Sequence, residues 1–146
     1  MHGILIHAHS GFRWIVLILL VVAIFNAFTK WRSGKSFTEG DRKINLFTMI
    51  ATHIQLLIGA ILYFTSEKVV FSGEAMKSSV NRFFTAEHLL MMLIAIVLIT
   101  LGNIRSKKAV GDSKKFRIAF TFFLIALLVL LAGIPWPFRD LGTAWF

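Results

Sequence analysis

No cysteine occurs among the 146 residues. Its absence excludes disulfides, thiolate metal sites, cysteine nucleophiles and covalent attachment of a c-type haem. Proline is nearly missing as well: Pro135 and Pro137 are the only two. The chain before them therefore lacks the residue that most readily breaks a helix, because proline has no N–H to donate inside one. Acidic residues are scarce, 7 against 16 Lys and Arg, for a formal charge of +9. Such an excess first suggests nucleic acid. The basic residues crowd into two short segments between apolar runs, however, which is where membrane topology needs them, so nucleic acid is set aside as a partner. The N-terminus has no basic start, and no small-residue cleavage site follows the apolar run Trp14–Phe28. The sequence thus predicts no cleavable signal peptide.

What the chain has in abundance is apolar surface: 57% of its residues are hydrophobic, and the mean hydropathy is +0.76. A soluble domain of this length cannot hide that much, since small globules leave a large share of their surface in water. A bilayer removes the difficulty by acting as the solvent. Four segments are long and apolar enough to span: about 4–28, 44–65, 83–103 and 118–134. The two prolines end the fourth. Trp136, Trp145 and Phe146 then read as a tail at the headgroup level, where aromatics with a polar edge accumulate.

The loops differ in charge. The first carries Lys30, Arg32, Lys35, Arg42 and Lys43 against Glu39 and Asp41. The third carries Arg105, Lys107, Lys108, Lys114, Lys115 and Arg117 against Asp112. The second is nearly balanced, the N-terminal segment has only Arg13, and the tail only Arg139. Positive loops stay in the cytoplasm. The expected fold is therefore all-α: a single-domain integral membrane up-down four-helix bundle, in a bacterial inner membrane, with both termini on the outer, periplasmic side. Ala119, Ala126 and Gly133 recur every seven residues on the fourth helix, a spacing of small residues that lets membrane helices pack closely.

Ionisable groups inside a membrane are costly, so each is a functional candidate. They are His7, His9, Arg13, His53, Glu87 and His88. At about 1.5 Å per helical residue, His88 and Arg13 lie roughly 25 Å above the inner boundary, His9 and His7 roughly 31 and 34 Å, and His53 roughly 15 Å. Five of the six thus gather near the outer leaflet, with His53 apart. The first and third helices of an up-down bundle are diagonal neighbours, so His88 and an N-terminal histidine can meet across the core. Bundles build cofactor sites from facing helices in this way. Such a pair can hold a non-covalent b-type haem. Arg13 can then neutralise a propionate, and Glu87 can orient a ligand histidine. On a helix His7 and His9 point about 200° apart, so only one faces inward.

Each candidate also has a plainer role. His53 can hydrogen-bond a neighbouring helix, or can pair with His88, Met91 or Met92. Arg13 can snorkel to the headgroups. Met91 and Met92 can be core filler. Thr52, Gln55, Gly59 and Tyr63 form a polar and small stripe that either lines a quinone pocket or packs the second helix.

Three motifs carry a resemblance: His-Ala-His-Ser-Gly-Phe-Arg-Trp at residues 7–14, Thr-His-Ile-Gln-Leu-Leu-Ile-Gly-Ala-Ile-Leu-Tyr-Phe at 52–64, and Ala-Glu-His-Leu-Leu-Met-Met at 86–92, with Ile-Pro-Trp-Pro-Phe-Arg closing at 134–139. Across nearly its whole length the chain resembles short bacterial four-helix membrane proteins of the Bacteroidetes type labelled cytochrome B. More loosely it is similar to haem-binding four-helix bundles such as the halves of haem A synthase. That likeness implies His7 or His9 as one haem ligand and His88 as the other. This chain departs from it in having one bundle and no histidine on the fourth helix.

The expected function is membrane electron transfer through one b-type haem. His88 and an N-terminal histidine, or His53, would ligate it, and quinol or a partner membrane complex would exchange electrons with it. The second expectation is an outer-face zinc or copper site from His7, His9, His53, His88 and Glu87. The third is a cofactor-free accessory subunit. Self-association into a homo-oligomer stays open. No nucleophile triad, phosphate-binding loop or acid–base carboxylate pair is visible, so the sequence gives no support for an enzyme activity of the chain's own.

Overall fold

The run before the first proline folds as helix almost throughout. The structure, a computed structural model, describes residues 1–146. Four helices are long and apolar enough to cross a membrane: His2–Arg32, Glu39–Thr65, Ser79–Lys108 and Asp112–Gly133. There is no strand. The apolar runs of the sequence sit inside these helices, which extend past them by one or two polar turns.

Each turn has a local cause. Thr38 caps the second helix through a reciprocal box with Asp41: the Asp41 N–H reaches Thr38 Oγ1 at 3.4 Å and the Thr38 N–H reaches Asp41 Oδ2 at 2.8 Å. This satisfies N–H groups that a helix start otherwise leaves unpaired. Asp41 also takes Lys30 Nζ at 2.5 Å and Asn26 Nδ2 at 2.9 Å, tying the first helix to the second. The third turn closes on Gly111 at φ +96°, a conformation only glycine adopts without strain. The fourth helix stops at Gly133, since Ile134 precedes a proline and is held extended.

Each helix packs on its sequence neighbours, and the first packs on the fourth, which leaves the first and third facing each other on the diagonal. The core is built from small residues and a few large ones: Leu20, Ala23 and Ala27, then Ala95 and Ile99, then Phe116, Ala119, Phe123 and Ala126. The seven-residue series Ala119, Ala126, Gly133 is buried along its length. At Gly102 a Cβ would lie 2.7 Å from Phe122 Cβ, so the third and fourth helices touch at backbone distance. The seam between the second and third helices is the sparsest of the four. Polar side chains hold it: His53 with Thr100 at 2.9 Å and Tyr63 Oη donating to Thr85 O at 2.9 Å.

Large apolar side chains cover the outside. Phe25 is 69% exposed, Leu57 66% and Phe64 74%. A fold that turns such residues outward on all its long helices suits a hydrocarbon solvent, as a multi-pass membrane protein requires.

The third helix is not regular. Phe83–Glu87 form a π-helical turn, in which the His88 N–H bonds the Phe83 carbonyl five residues back. Arg82 and Glu87, also five apart, pair across it at 2.8 Å. After the fourth helix the chain makes a short 3₁₀ turn, Pro137–Arg139, then folds back over the end of the bundle. Lys68 of the second loop donates to the Gly142 carbonyl at 2.9 Å, and Arg13 and Trp14 of the first helix donate to the Trp145 carbonyl. The tail is therefore a cap on the bundle end that carries both termini. Its aromatics alone predict a tail at the headgroup level; the structure adds these contacts with the first helix and the second loop.

Candidate functional site

The first helix is continuous from His2, so His7 and His9 cannot both turn inward. His9 does, and His7 is exposed. From the diagonal helix His88 meets it. The two ring centres stand 6.3 Å apart, with planes at 79°.

His88 is fixed from both sides. Its Nδ1 bonds the Gly133 carbonyl at 2.8 Å. A carbonyl only accepts, so Nδ1 carries the proton and Nε2 keeps its lone pair. That carbonyl is free for a reason written in the sequence. In a continuing helix it would bond the N–H four residues on, but that residue is Pro137. The Leu131 carbonyl loses Pro135 in the same way and takes Trp136 Nε1 at 2.8 Å. Phe83 and Phe84 flank the His88 ring at 5.7 and 6.4 Å. The π-helical turn directly before His88 sets the direction in which it leaves the helix; such turns concentrate at functional sites.

His9 is seated by the second helix. Gln55 Nε2 donates to the His9 carbonyl at 2.8 Å. One turn on, Gly59 leaves room for the ring: a Cβ there would stand 3.0 Å from His9 Cε1. The buried side-chain atoms without a hydrogen-bond partner are His9 Nδ1, Gln55 Oε1 and Arg13 Nε. All three belong to this end of the bundle. Orphaned buried polar atoms are rare in folded proteins and call for an explanation such as a ligand or ordered water.

Arg13 lies one helical turn below His9. The sequence allows it to snorkel; the structure buries it, at 9% exposure. Its Nη2 donates to the Trp145 carbonyl at 2.5 Å, and the indoles of Trp14 and Trp136 lie 5.6 Å from its guanidinium carbon. No carboxylate pairs with it. The ion pairs of the chain are Lys30–Asp41, Arg42–Glu39, Lys77–Glu74 and Arg82–Glu87.

The remaining candidates go elsewhere. Glu87 turns to Arg82 and does not orient a histidine. The group that orients His88 is the Gly133 carbonyl. His53 is bonded to Thr100, whose hydroxyl proton already goes to the Ile96 carbonyl at 2.7 Å, so His53 Nε2 is the donor. Met91 and Met92 pack against Gly133. Of the polar stripe, Thr52 bonds the Met49 carbonyl and Tyr63 the third helix, while Gln55 and Gly59 seat His9. No group of three or more His, Asp or Glu side chains converges as a metal-ion site.

Sequence reasoning missed Gln55 as a partner of His9, the Gly133 carbonyl and the Trp145 carbonyl. Only the second had a signal, the proline four residues after Gly133.

The donor set is thus two imidazoles on opposite helices. A closed zinc site needs about four ligands. A haem iron needs only axial ligands from the chain, because the porphyrin supplies the others. Two imidazoles on opposite sides of one metal, each bond about 2 Å, hold their ring centres roughly 6 Å apart. The His9–His88 ring separation of 6.3 Å matches that distance. No family model, curated protein or solved structure matches the chain.

Proposed function

We propose that this chain is a bacterial inner-membrane electron carrier that binds one b-type haem between His9 and His88, near the periplasmic face. The observation that carries the proposal is the meeting of these two rings across the bundle diagonal, centres 6.3 Å apart, within a span where unpaired imidazoles are costly. Bound there, the group would supply a one-electron centre whose potential follows ligand identity and burial. The chain's own residues do the rest. Gly133 holds the Nδ1 proton of His88 and presents Nε2. Gln55 and Gly59 seat His9. Electrons would come from quinol or go to a membrane oxidase or reductase.

The sides of the membrane follow from charge. The first and third loops hold most of the Lys and Arg, which supports a cytoplasmic side for them and an outer side for both termini.

The test is a reduced-minus-oxidised absorption spectrum of detergent-purified protein. Sharp alpha and Soret bands are expected, lost in His88→Ala and in His9→Ala and kept in His7→Ala and His53→Ala. A colourless wild-type protein that takes up no added haem overturns the proposal. Zinc or copper in such a preparation moves the site to a metal ion, and neither leaves an accessory subunit with structural histidines.

A further inference from the structure

Three N–H donors converge where the tail meets the first helix. Arg13 Nη2 and Trp14 Nε1 both point at the carbonyl oxygen of Trp145, at 2.5 and 2.8 Å. Arg13 Nε, on the same side-on edge of the guanidinium as Nη2, is buried and bonds nothing. A carbonyl presents one oxygen with two lone pairs, and both are used here. It cannot serve the third donor. A carboxylate can: its two oxygens match the Nε/Nη2 fork and leave a lone pair for the indole. The site also needs charge. Arg13 is nine-tenths buried and has no anionic partner, and an uncompensated buried cation is costly.

The group now on these donors is neutral. Lys68 bonds the carbonyls of Leu141 and Gly142 at 3.4 and 2.9 Å. Thr143 bonds back to Pro135 within the tail itself. The first helix and the second loop thus grip residues 141–145 through neutral main-chain carbonyls, which leave the Arg13 charge unbalanced, whereas a carboxylate would neutralise it and fill the fork. Asp140 at φ 55° and Gly142 at φ 70° turn the tail back on itself, and both lie just before the plug.

We propose that Arg13 and Trp14 form a carboxylate site, that the C-terminal tail plugs it with the Trp145 carbonyl, and that a carboxylate-bearing ligand displaces the plug. The ligand has two sources, a propionate of the haem at His9 and His88 or a free organic acid; only the first rests on the haem reading. Binding frees the tail from the first helix.

The test uses the absence of native cysteine. Phe146→Cys is labelled with a nitroxide in the full-length protein, in nanodiscs of zwitterionic lipid, and its mobility is read by electron paramagnetic resonance. Haem, haem dimethyl ester and butyrate are titrated separately. Haem, butyrate or both are expected to convert the spectrum from immobilised to mobile. The ester, which has no free carboxylate, is expected to leave it unchanged. Arg13→Lys keeps the charge and one donor for the Trp145 carbonyl but loses the fork, and should require at least tenfold more ligand. A label that stays immobilised at saturating haem and butyrate overturns the proposal, as does equal release by the ester or an unchanged response in Arg13→Lys. The Soret band of the same samples separates the two readings. A band that forms while the tail stays docked removes the plug and keeps the haem. Release by butyrate without any band from added haem does the reverse.

Discussion

Single glycines decide how closely this site can be built. At Gly59 a Cβ would approach His9 Cε1 to 3.0 Å. Alanine is otherwise the better helix former by about 1 kcal/mol. Gly59→Ala should therefore leave the fold standing while displacing the His9 ring. The expected result is a shifted or weakened haem spectrum with unchanged helical circular dichroism. Gly3→Ala, with nothing within 4 Å of the added carbon, should change neither. Gly102 is the opposite case. Its Cβ would fall 2.7 Å from Phe122 Cβ, on a side chain that cannot swing away from its own backbone. Gly102→Ala should cost about 1–3 kcal/mol by overpacking the third and fourth helices, read as a lower denaturation midpoint in detergent. At this scale the sequence was legible wherever a charge or imidazole lay inside a span, because lipid makes such a residue conspicuous. His9, His88 and Arg13 were found that way. Gln55 and Gly59 were not, since a polar or small residue at helical spacing reads equally well as packing.

Among the elements, the turn between the first two helices rests on one carboxylate. Asp41 is buried at the start of the second helix, before its apolar run begins at Ile44. Burial pushes its carboxyl up, but hydrogen bonds from Lys30, Asn26 and Thr38 outweigh that and hold it below the usual carboxylate range. A lowered folded value contributes stability that is present above the unfolded value of about 3.9 and is lost as pH falls through the folded one. Thermal stability should therefore be flat in this respect from pH 8 to about 5 and fall below about 4. In Asp41→Asn the acid-dependent loss should shrink, from a baseline lower by about 2 kcal/mol; an unchanged acid slope would remove Asp41 from the account. The helices themselves were legible from hydropathy alone, to within a turn or two at each end. The π-helical turn at Phe83–Glu87 was not. Its marks are the Arg82–Glu87 pair, whose five-residue spacing matches no ordinary helical face, and the Tyr63 bond to the Thr85 carbonyl, which depends on the neighbouring helix. The fold-back of the tail was hidden because what it offers to Arg13, Trp14 and Lys68 are main-chain carbonyls, which look alike in any sequence.

For the whole molecule, charge and architecture make one argument. An up-down bundle with an even number of helices puts both termini and the second loop at one end, and Lys68, Arg13 and the tail meet there. The other end holds the buried Lys30–Asp41 pair and the Ser106–Lys115 contacts, where the basic loops turn. Lys and Arg resist translocation, so the basic end should stay in the cytoplasm. The histidine pair lies toward the end that carries both termini, and His53 is bonded to Thr100 across the second and third helices. Because the chain has no cysteine, the orientation can be read one position at a time. Met76→Cys, in the exposed second loop, should react with a membrane-impermeant maleimide added outside spheroplasts. Lys35→Cys in the first loop and Ser113→Cys in the first turn of the fourth helix, both exposed at the basic end, should react only after the membrane is opened. The reversed pattern would put the histidine site on the cytoplasmic side.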